Sequence, residues 1–101
     1  MERVSFEKAK EIIDSDPGCV LLDVREEAEY ITGHAEDAVL LPVDEIDADT
    51  AAAAIPSFDS TVLVYCRTGR RSERAGKALE ELGYTNIYDI GGLIGWPYGL
   101  V

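Results

Sequence analysis

The sequence predicts an α/β fold with a central, mostly parallel sheet of four or five strands and helices on both faces. Short apolar runs alternate along the chain with segments of helical periodicity, and turn-forming residues separate them. Strands that alternate with helices usually form a parallel sheet, which the helices cover on both faces. At 101 residues the chain has the length of one domain with a modest core.

The first half of the chain predicts two helices and two short strands. Ser5 is the expected N-cap of the first helix, and the Asp-Pro-Gly turn at residues 16–18 ends it. The apolar run that follows this turn is typical of a buried strand. The predicted elements are a helix at residues 6–15, a strand at 19–24, a helix at 26–32 and a strand at 38–41.

The second half repeats this alternation. Strong helix formers precede Pro56, which cannot continue a helix. Apolar residues then recur at three- and four-residue spacing up to Leu82, and Gly83 is the expected residue after the helix end. The predicted elements are a helix at residues 44–55, a strand at 61–65, a helix at 72–82 and a strand at 86–90.

The chain is strongly acidic, with 20 acidic and 9 basic residues and a formal net charge of −11. Excess carboxylate keeps a protein soluble and repels nucleic acid and anionic membranes, so neither is an expected partner. Adaptation to a salt-rich cytoplasm and the ordinary acidity of a bacterial or archaeal protein are both consistent with this composition.

The sequence also bears on location and on cofactors. The N-terminus lacks the continuous apolar region of a signal peptide, and no apolar stretch approaches the roughly 18 residues of a membrane span. A cytoplasmic location is therefore expected. The sequence contains no cluster of metal ligands and no nucleotide-binding motif, so we expect neither a metal nor another cofactor.

Cys66 lies between a predicted strand and a predicted helix, where a thiol can act as a nucleophile. The first N–H groups of a helix have no intrahelical partner and carry the positive end of the helix dipole, which favours a thiolate or another anion. Gly69 permits the positive φ that a tight anion-binding turn often requires. The sequence therefore predicts an activated Cys66 and an anionic substrate.

Five cationic residues lie within eleven positions of this acidic chain. Pairs at i,i+4 spacing, such as Glu73 with Lys77, explain the charges on the predicted helix. They do not explain the arginines that precede it, which an anion-binding loop would explain. The cationic residues are Arg67, Arg70, Arg71, Arg74 and Lys77.

Four segments resemble, in order, the motifs of the rhodanese family of thiosulfate and persulfide sulfurtransferases. Residues 64–72, Val-Tyr-Cys-Arg-Thr-Gly-Arg-Arg-Ser, are similar to the active-site loop of that family. Residues 20–34 contain an Asp-Val-Arg motif and a Gly-His turn, and residues 38–42 form a short apolar run that ends in Pro. Residues 91–96, Gly-Gly-Leu-Ile-Gly-Trp, resemble the double-glycine and Trp signature of the family.

The resemblance implies a rhodanese-like three-layer fold and a single rhodanese domain over residues 1–101. It implies an enzyme that moves a sulfane sulfur from an anionic donor such as thiosulfate, or from another persulfide donor, through a persulfide on Cys66. The acceptor would be a thiol, a thioredoxin-like protein or cyanide. The residues expected to bind substrate and shape the loop are Arg67, Thr68, Gly69, Arg70, Arg71 and Ser72.

Loop length distinguishes two reaction classes within this resemblance. Four residues separate Cys66 from Arg71, as in the sulfurtransferases. Rhodanese-like phosphatases and arsenate reductases place five residues there, and the corresponding position here is Ser72. Sulfur transfer is therefore favoured over a Cys-dependent phosphatase or arsenate reductase. A sulfur-carrier or regulatory binding module is the other alternative. Arg71 is expected either to face the donor or to pack back and order the loop.

Asp23 and Arg25 follow a predicted strand and are expected to support the loop. Asp23 would accept hydrogen bonds that shape the neighbouring loop, and Arg25 would form an ion pair, with Glu29 as the nearest candidate. In rhodanese-like domains the Gly-His turn is mainly structural, so His34 is expected to be structural and not a general base.

Cys19 is expected to be a small core residue. It begins the strand that ends near Asp23, about 13 Å from the carboxyl edge of the sheet at ~3.3 Å per residue. Cys66 is expected at that carboxyl edge, so the two thiols would be beyond disulfide reach. Trp96 and Tyr98 are expected to pack in the core and at its rim.

Overall fold

A computed structural model describes residues 1–101 and contains one five-stranded sheet. All neighbouring strands pair in parallel, in the spatial order β1-β5-β4-β2-β3, which confirms the predicted parallel sheet. The strands are β1 (Glu2–Arg3), β2 (Val20–Asp23), β3 (Val39–Leu40), β4 (Val62–Cys66) and β5 (Ile87–Gly92).

Four α-helices and one short 3-10 helix connect these strands. None of the helices has the length and apolar character that a membrane crossing requires. The α-helices are α1 (Phe6–Ser15), α2 (Glu27–Ile31), α3 (Ala48–Ala54) and α4 (Arg70–Glu81), and the 3-10 helix is Val43–Glu45.

The prediction of one continuous helix over residues 44–55 is wrong. The chain forms the 3-10 helix, then becomes extended at Asp47 (φ −145°, ψ −178°) and starts again as α3. The Asp47 carboxylate accepts a hydrogen bond from the Thr50 N–H at 2.8 Å, and the Asp47 N–H donates to Thr50 Oγ1 at 2.9 Å. This reciprocal cap favours a new helix start at Ala48.

Three further differences concern one strand that was not predicted and the ends of two other elements. β1 was not predicted, because a two-residue polar strand has no readable periodicity. α4 begins at Arg70, two residues before the predicted start, because Gly69 takes the N-cap position with φ 109°. β5 continues to Gly92, with a register shift in its pairing to β4.

Two apolar layers cover the faces of the sheet, which confirms helices on both sides. Val62, Val64 and Cys66 of β4 pack in the layer that contains α3 and α4. Leu63 and Tyr65 of the same strand pack in the layer that contains α1. This alternation follows from the two-residue repeat of a strand. Cys66 therefore lies under α4, at the carboxyl edge of the sheet.

Candidate active site

Cys66 is the last residue of β4 and has no exposed surface. The tight turn after it brings the Gly69 N–H to 2.9 Å from Sγ. Gly69 has φ 109°, a left-handed conformation that costs a glycine little. The start of α4 follows at once, so the thiol faces the positive end of that helix.

The backbone donors around this turn are mostly free. Only the Gly69 N–H contacts Sγ, and the remaining loop N–H groups have no acceptor within the protein. The Ser72 hydroxyl is buried and donates to the Gly69 carbonyl at 3.0 Å, which holds the turn closed. A loop of this kind can accept an anion near the thiol. The free N–H groups belong to Arg67, Thr68, Arg70, Arg71 and Ser72.

Arg71 packs back and orders the loop, which is one of the two arrangements expected for it. Its guanidinium donates to both carboxylate oxygens of Glu29 on α2, at 2.6 and 3.0 Å. The hydrogen bond from Arg71 lowers the pKa of Glu29 from 4.5 to about 2. The same bond raises the pKa of Arg71. The end of the loop is therefore tied to α2 by a bidentate charged pair.

Asp23 and Arg25 form a buried pair at the carboxyl edge of β2. The Arg25 guanidinium donates to the Asp23 carboxylate at 2.6 to 3.1 Å and to the Gly33 carbonyl at 2.7 Å. The Tyr65 hydroxyl donates to the same carboxylate at 2.6 Å, and burial raises the pKa of Tyr65. The predicted pairing of Arg25 with Glu29 is therefore wrong, because Asp23 is the closer, buried partner.

Gly92 lets the loop approach β5. A Cβ at this position would lie 2.5 Å from the Arg67 carbonyl oxygen and 2.9 Å from Thr68 Cα, both of which are backbone atoms. One residue further on, the Leu93 N–H donates to the Cys66 carbonyl at 2.9 Å. The double-glycine segment thus serves as the surface against which the Cys66 loop packs.

Arg3 lies close to the Cys66 loop, a position that the sequence did not predict. Its guanidinium lies against Gly91, where a Cβ would come within 2.1 Å of Nη2. Gly91 has φ 84°, and its N–H donates to the Asp89 carboxylate at 2.7 Å. Arg3 is exposed and forms no ion pair, and Nη2 is 3.9 Å from the position of a Cβ on Gly69. No sequence signal predicts this, since β1 has no pattern of its own.

The cationic side chains of residues 67–77 are of two kinds, those in ion pairs and those without one. Arg74 lies 3.2 Å from Asp44, and Lys77 lies 3.1 Å from Glu73, both on the surface. The pairing of Glu73 with Lys77 was predicted. Arg67 and Arg70 are exposed and form no ion pair, so these two remain available to an anion beside Cys66.

Packing contacts surround His34, Trp96 and Tyr98. His34 Nδ1 donates to the Tyr30 carbonyl at 2.9 Å, and its ring stacks on the Tyr30 ring with centroids 3.7 Å apart. Trp96 makes edge contacts with Phe6 and Tyr98, at centroid distances of 5.4 and 4.9 Å. These contacts agree with packing roles for the three residues.

The two cysteines are both free thiols, as expected from their separation in the sheet. Cys19 lies just before β2, at the amino edge, and packs against the layer that contains α1. Partial burial raises the pKa of Cys19, which disfavours its thiolate. Cys66 is thus the one cysteine at the carboxyl edge of the sheet.

Glu29→Gln is expected to destabilise the fold by about 1 kcal/mol at neutral pH, because an amide cannot form the charged pair. A carboxyl group with a lowered pKa stabilises the folded state above its unfolded pKa of 4.5, and this contribution disappears as the pH falls toward about 2. The free energies of unfolding of wild type and variant, measured with urea across that range, should therefore converge as the pH falls. Glu73→Gln, on the exposed surface, is the matched control.

The decisive observation is whether the unfolding free energies of wild type and Glu29→Gln converge at low pH. A destabilisation of Glu29→Gln that stays constant down to about pH 2 would contradict the role of the charge. A destabilisation no larger than that of Glu73→Gln would show that the Arg71 pair is an ordinary surface pair.

Known proteins resemble this chain in sequence. A family model for the rhodanese-like domain matches residues 5–97. Thiosulfate sulfurtransferase PspE of Escherichia coli is 39% identical over 72 residues, which cover 71% of this chain and 68% of PspE. A relative from Schizosaccharomyces pombe is 40% identical over 82 residues, covering 71% of this chain and 58% of that longer protein.

Solved structures resemble it in fold. The structure of a rhodanese with anions from E. coli has a TM-score of 0.76 and 35% sequence identity, and covers 82% of this chain and 96% of its own. Human single-domain sulfurtransferase TSTD1 has a TM-score of 0.77 at 23% identity, and covers 91% of this chain and 90% of its own. Because the family model matches nearly the whole chain, this protein belongs to the rhodanese-like domain family.

Proposed function

We propose that this chain is a sulfurtransferase that moves a sulfane sulfur from thiosulfate or another persulfide donor to a thiol or cyanide through a persulfide on Cys66. The observation that carries the proposal is the placement of Sγ under a loop of free N–H groups at the start of α4. Arg67, in the same loop, and Arg70, at the start of α4, form no ion pair. The name of the E. coli relative supports a rhodanese-type enzyme.

In the first step the Cys66 thiolate attacks the outer sulfur of thiosulfate. The new bond joins Sγ to that sulfur, the S–S bond of the donor breaks, and its electron pair leaves with sulfite. Arg67 and Arg70 attract the dianionic donor and stabilise the departing sulfite. The loop N–H groups stabilise the persulfide anion that remains on Cys66.

In the second step an acceptor thiolate or cyanide attacks the outer sulfur of the persulfide. The bond between that sulfur and Sγ breaks, and the electron pair returns to Sγ as the thiolate. No metal or other cofactor takes part. This double displacement leaves the enzyme ready for the next donor.

Cys66 has no exposed surface, so the donor reaches Sγ only after a local displacement of the atoms around it. The Gly69 N–H is the backbone donor that contacts Sγ, at 2.9 Å. Arg67 and Thr68 are exposed, whereas Arg71 is held by Glu29 and Ser72 by the Gly69 carbonyl. In the second half of the loop the side chains of Arg71 and Ser72 are therefore both held by hydrogen bonds.

Residues 1–101 act as one domain in this proposal, because both apolar layers pack on the same sheet. A thioredoxin-like protein belongs to the class of thiol acceptors that the second step allows. The cytoplasmic location stays a prediction of the sequence, as does the absence of nucleic-acid and membrane partners.

The arrangement of the loop disfavours phosphatase or arsenate reductase chemistry. Ser72 occupies the position where those enzymes have the loop arginine, and its buried hydroxyl donates to the Gly69 carbonyl. Arg71 is engaged with Glu29. Phosphate-ester or arsenate turnover that depends on Cys66 would contradict the proposal.

Arg67→Gln and Arg70→Gln are each expected to reduce kcat/KM for thiosulfate by roughly ten-fold, because each removes a charge-assisted contact to the donor. Arg74→Gln is the matched control, since Arg74 lies further along α4 and pairs with Asp44. The measurement is steady-state transfer from thiosulfate to cyanide at several thiosulfate concentrations. Equal losses in all three variants would contradict specific contacts to the donor, and no turnover by the wild type would contradict thiosulfate as a donor.

A further inference from the structure

An open cleft lies beside the Cys66 loop at the carboxyl edge of the sheet. It has a volume of about 260 Å³. Leu93 lines it and is tied to the loop by the hydrogen bond from its N–H to the Cys66 carbonyl. We call it the acceptor cleft, and its lining includes Arg25, Glu29, Arg67, Leu93, Ile94 and Leu100.

One wall of the acceptor cleft, formed by Leu93, Ile94 and Leu100, is apolar, and two of these side chains are uncovered. Ile94 is 68% exposed and Leu100 is 56% exposed, although both are large aliphatic side chains. A single exposed apolar residue needs no explanation. Two that line one cleft beside the Cys66 loop indicate a surface that another molecule covers.

The wall is also held in place. Leu100 packs over Gly33, where a Cβ would lie 3.5 Å from Leu100 Cδ1. The next residue, Val101, exchanges two backbone hydrogen bonds with His34, at 2.8 and 3.1 Å. The segment that carries Leu100 is therefore fixed to the turn that Arg25 also binds.

The charges of the acceptor cleft leave one cation free. Arg25 is satisfied by Asp23, and Glu29 is satisfied by Arg71. Arg67 alone is exposed and unpaired. On a chain of net charge −11, a carboxylate is repelled by most of the surface but attracted to this rim. The acceptor cleft is thus complementary to an apolar group beside a negative charge.

From this complementarity, and resting on the proposed function, we infer that the acceptor is a protein thiol on a segment that carries an apolar side chain and a carboxylate next to its cysteine. Cyanide and thiosulfate have no apolar part to cover Ile94 and Leu100. The volume of about 260 Å³ is sufficient for one apolar side chain of a larger partner.

The transfer step is balanced without another reactant. The thiolate of the partner attacks the outer sulfur of the Cys66 persulfide and forms a new S–S bond. The bond from that sulfur to Sγ breaks, and its electron pair stays on Sγ. The partner leaves as a persulfide, and Cys66 returns to the thiolate.

The test measures sulfur transfer from preloaded protein to short peptide thiols. Wild-type protein is loaded with thiosulfate, freed of donor, and mixed with tetrapeptides in which cysteine is flanked by Leu or Ser and by Asp or Lys. Intact mass follows the loss of sulfur from Cys66. Each rate is divided by the rate of the same peptide with a small aromatic disulfide, which corrects for its intrinsic reactivity.

We expect the Leu peptide to react about ten-fold faster than the Ser peptide, because it covers the apolar wall. We expect the Asp peptide to react several-fold faster than the Lys peptide, with a difference that shrinks in high salt. Ile94→Ser should reduce the Leu-to-Ser ratio toward one. Phe58→Ser, which changes a 60% exposed aromatic residue at the opposite edge, should leave the ratio as it is.

Equal rates for the Leu and Ser peptides on loaded protein would overturn the acceptor assignment and leave the sulfurtransferase proposal standing. An equal effect of Phe58→Ser and Ile94→Ser on the ratio would also overturn it. Failure of Cys66 to take up sulfur from thiosulfate or any other sulfane donor would overturn the proposed function and this inference together.

Discussion

Cys66→Ser is expected to lower sulfur transfer from thiosulfate to cyanide by a thousand-fold or more, on the order seen when other enzymes lose their nucleophile. A hydroxyl does not form a persulfide, and no other thiol lies at the carboxyl edge of the sheet. The fold should survive, since a serine hydroxyl can accept the Gly69 N–H that now contacts Sγ at 2.9 Å. Steady-state turnover and thermal unfolding measure the two effects.

Cys19→Ser is the matched control for this substitution. Cys19 lies at the amino edge of the sheet and is only partly buried. Transfer should therefore continue at the wild-type rate. Activity that persists in Cys66→Ser, or that disappears in Cys19→Ser with the fold intact, would contradict a single nucleophile at Cys66.

Asp23→Asn is expected to destabilise the fold by about 3–5 kcal/mol, the range for breaking a buried ion pair. Asp23 has no exposed surface, and its carboxylate accepts hydrogen bonds from the Arg25 guanidinium and the Tyr65 hydroxyl. An amide supplies one acceptor oxygen in place of two and loses the charge that Arg25 needs. Since domains of this size have about 5–15 kcal/mol of stability, urea unfolding should detect the change readily.

Two variants separate the buried pair from weaker effects. Tyr65→Phe removes one hydroxyl and should cost about 1–2 kcal/mol. Asp14→Asn breaks the exposed pair of Asp14 with Lys10 and should cost less than about 1 kcal/mol. An Asp23→Asn variant that is destabilised no more than Asp14→Asn would contradict the structural role of the buried pair.

Capping and turn residues in the sequence predicted the helix ends that lie next to them. The first helix was predicted over residues 6–15 and is observed as Phe6–Ser15. Its start depends on Ser5, whose hydroxyl oxygen accepts the Lys8 N–H at 3.0 Å, and its end depends on the Asp-Pro-Gly turn that follows. Gly83 was predicted after the end of α4 and has φ 107°.

Long-range contacts could not be predicted in this way. Arg71 is engaged by Glu29, 42 residues earlier, and no spacing rule connects a loop residue to a separate helix. The sequence therefore left both arrangements of Arg71 open. The sequence also assigned Glu29 to Arg25, because their i,i+4 spacing corresponds to one helical turn. The partner of Arg25 is instead the buried carboxylate of Asp23, two residues earlier.

The local elements of the candidate site were predicted from the sequence, whereas its contacts with distant segments were not. The strand, the turn at Gly69 and the helix start are local features, and each is present around Cys66. The roles of the loop arginines remain predictions. The acceptor cleft was not predicted, because Ile94 and Leu100 meet Arg67 only after β5 and the C-terminal segment reach the carboxyl edge.

The most direct test of the persulfide mechanism is the intact mass of reduced wild-type protein before and after treatment with thiosulfate, with Cys66→Ser treated in parallel. The mechanism predicts a gain of one sulfur atom in the wild type, its loss on addition of cyanide, and no gain in the variant. A wild-type mass that does not change with thiosulfate or with other sulfane donors, or an equal gain in Cys66→Ser, would contradict it.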